Sequence, residues 1–210
     1  MFEAPPRKPK VKSVSEFFYG HEWELQQALR LLRSGKSLLL LGARRIGKTE
    51  LARAVIKVLE TDGWQAKMVE IGGCADENAM VERLEHETNG LAGRALNVLN
   101  RTDVNIGGHA AKIHVGDLPW PERGAARFRE LANAKAGALL VLDEAPVFLK
   151  RLIDMDKKRA DNWLQMLRSW RMQNPNLRVI LAGSIAINTL TQRHQFTTAI
   201  NDVLHFRSSH

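Results

Sequence analysis

Apolar runs that alternate with amphipathic stretches set the pattern of this 210-residue chain. Residues 38–41 and 138–142 are continuously apolar, which is typical of strands buried on both faces of a parallel sheet. Residues 65–71 and 177–182 follow turn-forming residues and predict two further strands. Residues 202–206 alternate polar with apolar side chains, as a final edge strand would. The pattern therefore predicts five strands.

Helical spacing of apolar residues fills segments between these strands. It predicts helices over residues 22–32, 76–87, 122–134 and 161–172, and Asp76 is a candidate N-cap for the second. Strands that alternate with helices indicate a mostly parallel sheet with helices on both faces, which is a three-layer α/β fold. A chain of this length can bury one such core.

One segment breaks the alternation. Residues 103–116 contain two short stretches typical of strands, one on each side of Gly107 and Gly108. Paired glycines between two such stretches favour a tight turn. The segment therefore predicts a β-hairpin inserted before the apolar run at residues 138–142.

The loop after the first apolar run fits the phosphate-binding pattern G-x-x-x-x-G-K-[ST] at every fixed position. Helix-forming residues follow it directly, as a strand–loop–helix unit requires. The candidate nucleotide-binding residues are Gly42, Ala43, Arg44, Arg45, Ile46, Gly47, Lys48, Thr49 and Glu50.

The fixed positions of this loop each have a chemical reason. Gly42 and Gly47 lack a Cβ, so backbone N–H groups can point at phosphate oxygens. The helix that begins near Lys48 adds its positive end to the same anion site. We expect Lys48 to reach the β- and γ-phosphates and the Thr49 hydroxyl to bind Mg²⁺. The loop therefore predicts nucleotide binding.

The second apolar run ends in two acidic residues, Asp143 and Glu144. A carboxylate at the C-terminal end of a buried parallel strand lies where ligands bind in open α/β sheets. Asp143 is therefore expected to hold Mg²⁺, and Glu144 to polarise an attacking water. Two acids after an apolar run are also a common end of a strand or helix, but the phosphate loop favours the catalytic interpretation. This pair is typical of P-loop proteins that hydrolyse ATP and have an extra strand between the loop strand and the acidic strand.

Lysine and arginine number 31 against 23 aspartates and glutamates, which gives a net charge of +8. Part of the excess lies in the proline-broken residues 1–15, which predict a disordered basic arm. A second basic cluster consists of Lys150, Arg151, Lys157, Lys158 and Arg159. Both segments fit either contact with nucleic acid or a solvated surface, and no nucleic-acid-binding signature supports the former.

The single cysteine, Cys74, excludes an internal disulfide framework and favours the cytoplasm as the compartment. We expect Cys74 to be a small buried residue at the end of the second strand. The sequence contains neither an apolar segment near membrane-spanning length nor the hydrophobic stretch of a signal peptide. A membrane is therefore not an expected partner.

Four segments together resemble the archaeal-type P-loop ATPases, which lie near the AAA+ and STAND groups of signal-transduction ATPases. The segments are FYGHEWEL at 18–25, GARRIGKTEL at 42–51, LLVLDEAPVFL at 139–149 and LRVILAGSIAINTL at 177–190. The matching family segments run F-x-G-R-x-x-E-L, G-x-R-R-x-G-K-T, D-E and G-S, and the inserted hairpin is similar as well. The resemblance covers roughly residues 17 to 206 and implies an ATPase core that uses ATP and Mg²⁺.

The resemblance assigns further site residues by their position in the matching segments. Tyr19 and Gly20 would lie beside the adenine, and Ser184 would take the polar sensor position facing the γ-phosphate. His21 stands where the family usually has Arg. Arg193 lies where an AAA+ ring would place an arginine finger, but a plain surface arginine is the favoured interpretation.

Family members continue past the last strand into a helical lid and often a winged-helix domain, whereas this sequence stops at His210. We therefore expect residues 16–210 to form an ATPase core that lacks the lid. An open site costs affinity and preorganisation, so weak ATP binding, slow hydrolysis and a mostly monomeric state are expected.

Two functional classes fit the sequence. The first is a regulatory switch of the AAA+/STAND type, in which ATP or ADP controls association with a protein partner or a downstream domain. The second is a DNA-associated ATPase, such as a loader or a transposition or defence helper, whose basic surface binds phosphate. A small-molecule kinase is disfavoured by the Asp143–Glu144 pair, and a GTPase by the lack of an N-K-x-D motif.

Overall fold

The computed structural model describes residues 21–43, 45–88, 103–106, 109–112, 118–184 and 202–205, which contain six helices and seven strands. The helices are α1 (Glu22–Arg33), α2 (Lys48–Thr61), α3 (Glu77–Thr88), α4 (Trp120–Ala132), α5 (Ala145–Met155) and α6 (Lys157–Gln173). The strands are β1 (Leu38–Gly42), β2 (Gln65–Glu70), β3 (Asp103–Ile106), β4 (His109–Lys112), β5 (Ala138–Asp143), β6 (Leu177–Ser184) and β7 (Asp202–His205).

Five of the strands form one parallel sheet in the order β2-β5-β6-β1-β7. This confirms the prediction of a mostly parallel, five-stranded sheet with the final strand at an edge. β6 lies between the loop strand β1 and the acidic strand β5, as the acidic pair predicted. Because all five strands run in one direction, their C-terminal ends meet at one edge of the sheet, where ligands bind in this class of fold.

Apolar side chains of the central strands alternate between the two faces of the sheet. In β1, Leu39 and Leu41 join the core that includes apolar residues of α3, α4, α5 and α6. Leu38 and Leu40 join the core that α1 and α2 cover on the opposite face. Both faces of a buried parallel strand must be apolar, which explains the four consecutive leucines. The predicted three-layer arrangement is confirmed.

The inserted hairpin forms a separate two-stranded sheet. β3 and β4 pair antiparallel, with Asp103 opposite Lys112 and Ile106 opposite His109. The predicted hairpin is therefore confirmed in its strands, while its turn at residues 107–108 lies outside the described residues.

The helices agree with the predicted ones except for α5, which was not predicted. Asp76 caps α3 as expected, since the Ala79 N–H donates to its Oδ1 at 2.9 Å. α5 follows Glu144 directly and carries Pro146 in its first turn, a position that suits proline. It begins only two residues after the apolar run of β5, so its apolar residues are easily taken for the end of the same segment. No helix in the described part of the chain has both the length and the apolar character needed to cross a membrane.

Cys74 lies in the turn between β2 and α3. It is 5% exposed and belongs to the core on the α3 side of the sheet. Burial raises the pKa of its thiol, which disfavours the reactive thiolate. Its position and burial are those expected from the sequence.

Candidate nucleotide-binding site

The phosphate loop joins β1 to α2 at the C-terminal edge of the sheet. Gly47 is the N-cap of α2 and has a φ of 91°, a left-handed conformation that glycine adopts without steric cost. Arg45 is also left-handed, with a φ of 63°, at a cost of roughly 1–3 kcal/mol for a residue with a side chain. The chain therefore turns tightly into α2, whose first-turn N–H groups and dipole favour an anion at this end.

Lys48, the first residue of α2, turns its ammonium group back toward the start of the loop. Its Nζ donates to the Gly42 carbonyl at 3.0 Å and to the Ala43 carbonyl at 2.5 Å. The residue is only 8% exposed. Because a buried cation needs hydrogen-bond acceptors, these two carbonyls hold the charge at the base of the loop.

Thr49 and Asp143 meet although 94 positions separate them in the chain. The Thr49 hydroxyl donates to Asp143 Oδ2 at 3.2 Å. Asp143 is the last residue of β5 and is buried. Hydroxyl and carboxylate oxygens are ligands that suit Mg²⁺. The two residues predicted to hold the metal therefore lie close enough to share one cation.

Glu144 follows directly, as the N-cap of α5, with a left-handed φ of 52°. Its N–H donates to Asp143 Oδ1 at 3.0 Å, and its carbonyl accepts from Val147 at 3.0 Å and Phe148 at 3.3 Å. Hydrogen bonds of both its N–H and its carbonyl thus hold the Glu144 backbone in place. Its Oε2 is buried, and no donor in the described residues lies within hydrogen-bond distance of it. Leaving a buried carboxylate oxygen without a donor is costly, which marks Glu144 as a candidate for chemistry.

Ser184 ends β6 beside the phosphate loop. It pairs in register with Gly42, the last residue of β1, and is partly exposed. The preceding Gly183 packs against the first turn of α5, where a Cβ on that glycine would lie 2.3 Å from Pro146 Cγ. The contact between Gly183 and Pro146 was not predicted. In the sequence, the glycine before Ser184 is the one sign of it. The structure therefore places Ser184 at the predicted edge of the site.

These elements enclose a cavity of about 470 Å³, a size suited to a small-molecule ligand. Seven of the predicted site residues line it: Arg45, Gly47, Lys48, Thr49, Glu50, Asp143 and Glu144. Ile46 instead packs against the core on the α2 side of the sheet. Glu50 also pairs with Arg53 at 2.6 Å on the exposed surface of α2. The loop and the acidic strand thus form one site.

Four residues considered for the site fall outside the described part of the chain. They are Tyr19, Gly20, Arg44 and Arg193. The positions of Tyr19 and Gly20 beside the adenine and of Arg44 in the loop stay predictions, as does the interpretation of Arg193 as a surface arginine. The neighbouring His21 is described, and its Nδ1 lies 3.7 Å from Glu24 Oε1 at the start of α1.

The second basic cluster is engaged in contacts within the fold. Four of its five residues have partners: Lys150 pairs with Asp154, Lys157 with Asp161, Arg159 with Glu77, and Arg151 with the backbone of Gly72 and Cys74. The hydrogen bond to Glu77 raises the pKa of the Arg159 guanidinium. Since acidic partners offset three of the charges, this surface is less basic than the sequence alone indicates.

Several solved structures are similar to this chain. A Walker-type ATPase of Pyrococcus abyssi aligns at a TM-score of 0.62 and 16% identity, covering 91% of this chain and 55% of that one. The ORC2 protein of Aeropyrum pernix, in its ADPNP–ADP complexes, aligns at 0.61 and 16%, covering 93% and 50%. Cdc6p of Pyrobaculum aerophilum aligns at 0.57 and 15%, covering 92% and 48%. The chain has the fold of an archaeal-type P-loop ATPase.

This fold agrees with the resemblance carried by the four sequence segments. The chain spans about half the length of the solved structures that it matches. No protein-family model and no curated protein matches the sequence.

Proposed function

We propose that this protein binds Mg-ATP in the cavity at the sheet edge, hydrolyses it, and uses the bound nucleotide as a regulatory switch. The observation that carries this proposal is the contact of Thr49 with Asp143 at 3.2 Å, made at the start of α2. A metal-binding pair beside a phosphate-binding loop is the arrangement that a Mg-nucleotide requires.

The loop and Lys48 are the proposed phosphate-binding elements. Backbone N–H groups of the loop and of the first turn of α2 would donate to the phosphate oxygens. Lys48 already lies in the cavity lining, and its ammonium donates to two neutral carbonyls. A charged phosphate oxygen is a stronger acceptor than a carbonyl, so nucleotide binding would favour the transfer of this ammonium to the phosphates.

Thr49 and Asp143 are the proposed residues that hold the metal. Their oxygens already lie within 3.2 Å of each other, and both types of oxygen fit the preference of Mg²⁺. A Mg²⁺ ion held there would neutralise charge on the β- and γ-phosphates. Asp143 Oδ1 also accepts the Glu144 N–H, so the carboxylate that holds the metal is fixed in orientation.

Glu144 is the proposed general base. It would take a proton from a water whose oxygen attacks the γ-phosphorus. The bond from that phosphorus to its bridging oxygen breaks, and the electron pair stays on the leaving ADP. The absence of a donor to Oε2 in the described residues supports this role, because that oxygen is free to accept a proton. Ser184, beside Gly42, would donate a hydrogen bond to the γ-phosphate.

Adenine is the proposed base of the nucleotide. One of the structures with the same fold, ORC2 of Aeropyrum pernix, was determined with ADPNP and ADP bound. The sequence lacks the N-K-x-D motif that reads guanine. Tyr19 and Gly20 remain the proposed contacts to the base.

The switch would act through a protein partner or a further domain. We propose a core over residues 16–210 preceded by a basic arm at residues 1–15, in the cytoplasm. Support for a further element comes from the solved structures, whose chains are about twice the length matched here. ATP and ADP would then favour different associations of the core.

Replacing the base tests this proposal without removing the nucleotide contacts. Glu144→Gln is expected to bind Mg-ATP with parental affinity and to hydrolyse it at least about 100-fold more slowly. Glu60→Gln, at an exposed position in α2, is the matched control and is expected to hydrolyse ATP at the parental rate. Parental turnover in Glu144→Gln would show that the base lies elsewhere.

A second candidate function, an ATPase that acts on DNA, rests on the net charge of +8. Release of counterions from DNA predicts a steep loss of binding as salt rises. The test measures binding of a duplex oligonucleotide between low and physiological salt, together with ATP turnover and oligomeric state. If turnover and oligomeric state do not respond to DNA, this second function is excluded.

A further inference from the structure

The turn between β2 and α3 is clamped to α5 by one arginine. Arg151 Nη1 donates to the Gly72 carbonyl at 3.0 Å and to the Cys74 carbonyl. The turn is also closed from within, because the Gly73 N–H donates to Glu70 Oε1 at 3.1 Å. Charge-assisted bonds of this kind are stronger than neutral ones, so the position of the turn relative to α5 is well defined.

Gly72 in this turn lies directly against Glu144. A Cβ at Gly72 would be 2.7 Å from Glu144 Cβ and 3.3 Å from the Glu144 carbonyl oxygen. Real Cβ atoms essentially never approach as close as the first distance. Only glycine therefore allows the turn to pack against Glu144 at this separation.

Gly72 packs against Glu144 at its Cβ, the atom from which the side chain leaves the backbone. Glu144 has a left-handed φ of 52°, and its N–H and carbonyl are both hydrogen-bonded. Its Cβ therefore leaves the backbone in one fixed direction, and that Cβ touches Gly72. A strained backbone conformation persists only where its surroundings hold it in place, and here the Gly72 turn is part of those surroundings.

We propose that Gly72, held by Arg151, is a positioning residue that aims the Glu144 carboxylate at the attacking water. This inference rests on the proposed function, in which Glu144 is the general base. A displacement of about 1 Å at a catalytic group can cost on the order of 100-fold in rate. The Gly72 turn thus affects the chemical step and leaves the phosphate loop, from which Lys48 and Thr49 bind nucleotide, in place.

Two neighbouring glycines provide a matched test. Gly72→Ala is expected to lower kcat by at least about tenfold, with the dissociation constant for Mg-ATP changed by less than about threefold. Gly73→Ala is the control, because among the described residues a Cβ there would meet only Glu70 Oε2, at an ordinary 3.4 Å. A Cβ at Gly72 would also lie 2.9 Å from Glu70 Oε1, but that atom is the far end of a flexible side chain and can move away, whereas Glu144 Cβ cannot. Gly73→Ala is expected to behave as the parent.

A double variant separates positioning of Glu144 from general damage. If Gly72 acts through Glu144, Gly72→Ala combined with Glu144→Gln turns over no more slowly than Glu144→Gln alone. If kcat of the double variant falls by the product of the two single losses, the proposal is overturned. It is also overturned if Gly72→Ala has the parental kcat while Glu144→Gln is slow. Parental turnover in Glu144→Gln itself would instead contradict the proposed function.

Arg151→Gln replaces Gly72→Ala if the latter does not fold. It removes the charged clamp without adding an atom beside Glu144, and it is expected to lower kcat by about threefold or more at unchanged affinity for Mg-ATP. Arg151→Lys, which can still donate to one carbonyl, is expected to recover part of the loss. Parental kcat in Arg151→Gln would overturn the proposal.

Discussion

Ser184 at the end of β6 pairs in register with Gly42, where the phosphate loop begins. The two residues lie on adjacent parallel strands, so Ser184 stands beside the start of the loop. The proposed sensor role requires the Ser184 hydroxyl to donate to the γ-phosphate of a nucleotide bound by that loop.

Ser184→Ala is therefore expected to slow hydrolysis more than it weakens binding. Loss of one donor to charge that develops on the γ-phosphate should lower kcat by about tenfold or more. Ser34→Ala is the control, because Ser34 is exposed at the end of α1, where its hydroxyl donates to the Leu31 carbonyl at 2.8 Å. Steady-state kinetics with Mg-ATP decide the point. Equal kcat in the two variants would remove Ser184 from the mechanism.

Thr49→Val is expected to abolish the part of ATP affinity that depends on Mg²⁺. Valine keeps the shape of threonine but removes the hydroxyl that lies 3.2 Å from Asp143 Oδ2. We expect the gain in affinity on adding Mg²⁺ to fall at least about tenfold. Thr49→Ser keeps the hydroxyl and should retain most of that gain. Calorimetric titrations of ATP with and without Mg²⁺ measure both, and an unchanged gain in Thr49→Val would show that Thr49 does not bind the metal.

The packing of α4 against α6 provides a test of the fold that does not involve the nucleotide. A Cβ at Gly124 would lie 2.3 Å from a ring carbon of Trp170, which is 3% exposed and packs against Phe128 with 5.1 Å between ring centroids. Overpacking of this kind costs about 1–3 kcal/mol, whereas Ala gains up to about 1 kcal/mol over Gly in a helix. Because that Cβ would lie within 2.4 Å of two ring carbons, the upper part of the overpacking range, about 2–3 kcal/mol, applies. Gly124→Ala is therefore expected to lower the free energy of unfolding by about 1–2 kcal/mol.

Urea unfolding followed by tryptophan fluorescence measures this change. Gly73→Ala is again the matched control, with an expected change within about 0.5 kcal/mol. A Gly124→Ala variant as stable as the parent, or more stable, would contradict the close approach of α4 to Trp170.

The fold could be predicted because its main signals are local. The four leucines of β1 and the apolar run of β5 predict strands that are buried on both faces. In the segments between the strands, apolar residues recur at the spacing of a helix. α5 was missed because only Asp143 and Glu144 separate its apolar residues from the apolar run of β5. Only Pro146, which suits the first turn of a helix, marks the change.

The candidate site also has parts that could be predicted from the sequence and parts that could not. The phosphate loop and the acidic pair are short motifs whose spacing is visible in the sequence, and the structure brings Thr49 and Asp143 together as the motifs imply. The contacts that support Glu144 were not predictable. Gly72 and Arg151 are far apart in the chain, and each meets its partner only through tertiary packing. In the sequence, Arg151 is one of five surface-like cations.

Calorimetric titration of Lys48→Ala shows whether the loop around Lys48 binds Mg-ATP. Lys57→Ala removes the same charge from an exposed position on the same helix and serves as the control. We predict that Lys48→Ala keeps the parental circular dichroism spectrum and loses at least about 100-fold in affinity for Mg-ATP, because charge-assisted bonds to phosphate are worth several kcal/mol. Lys57→Ala should bind as the parent does. Parental affinity in Lys48→Ala would contradict the assignment of the whole site.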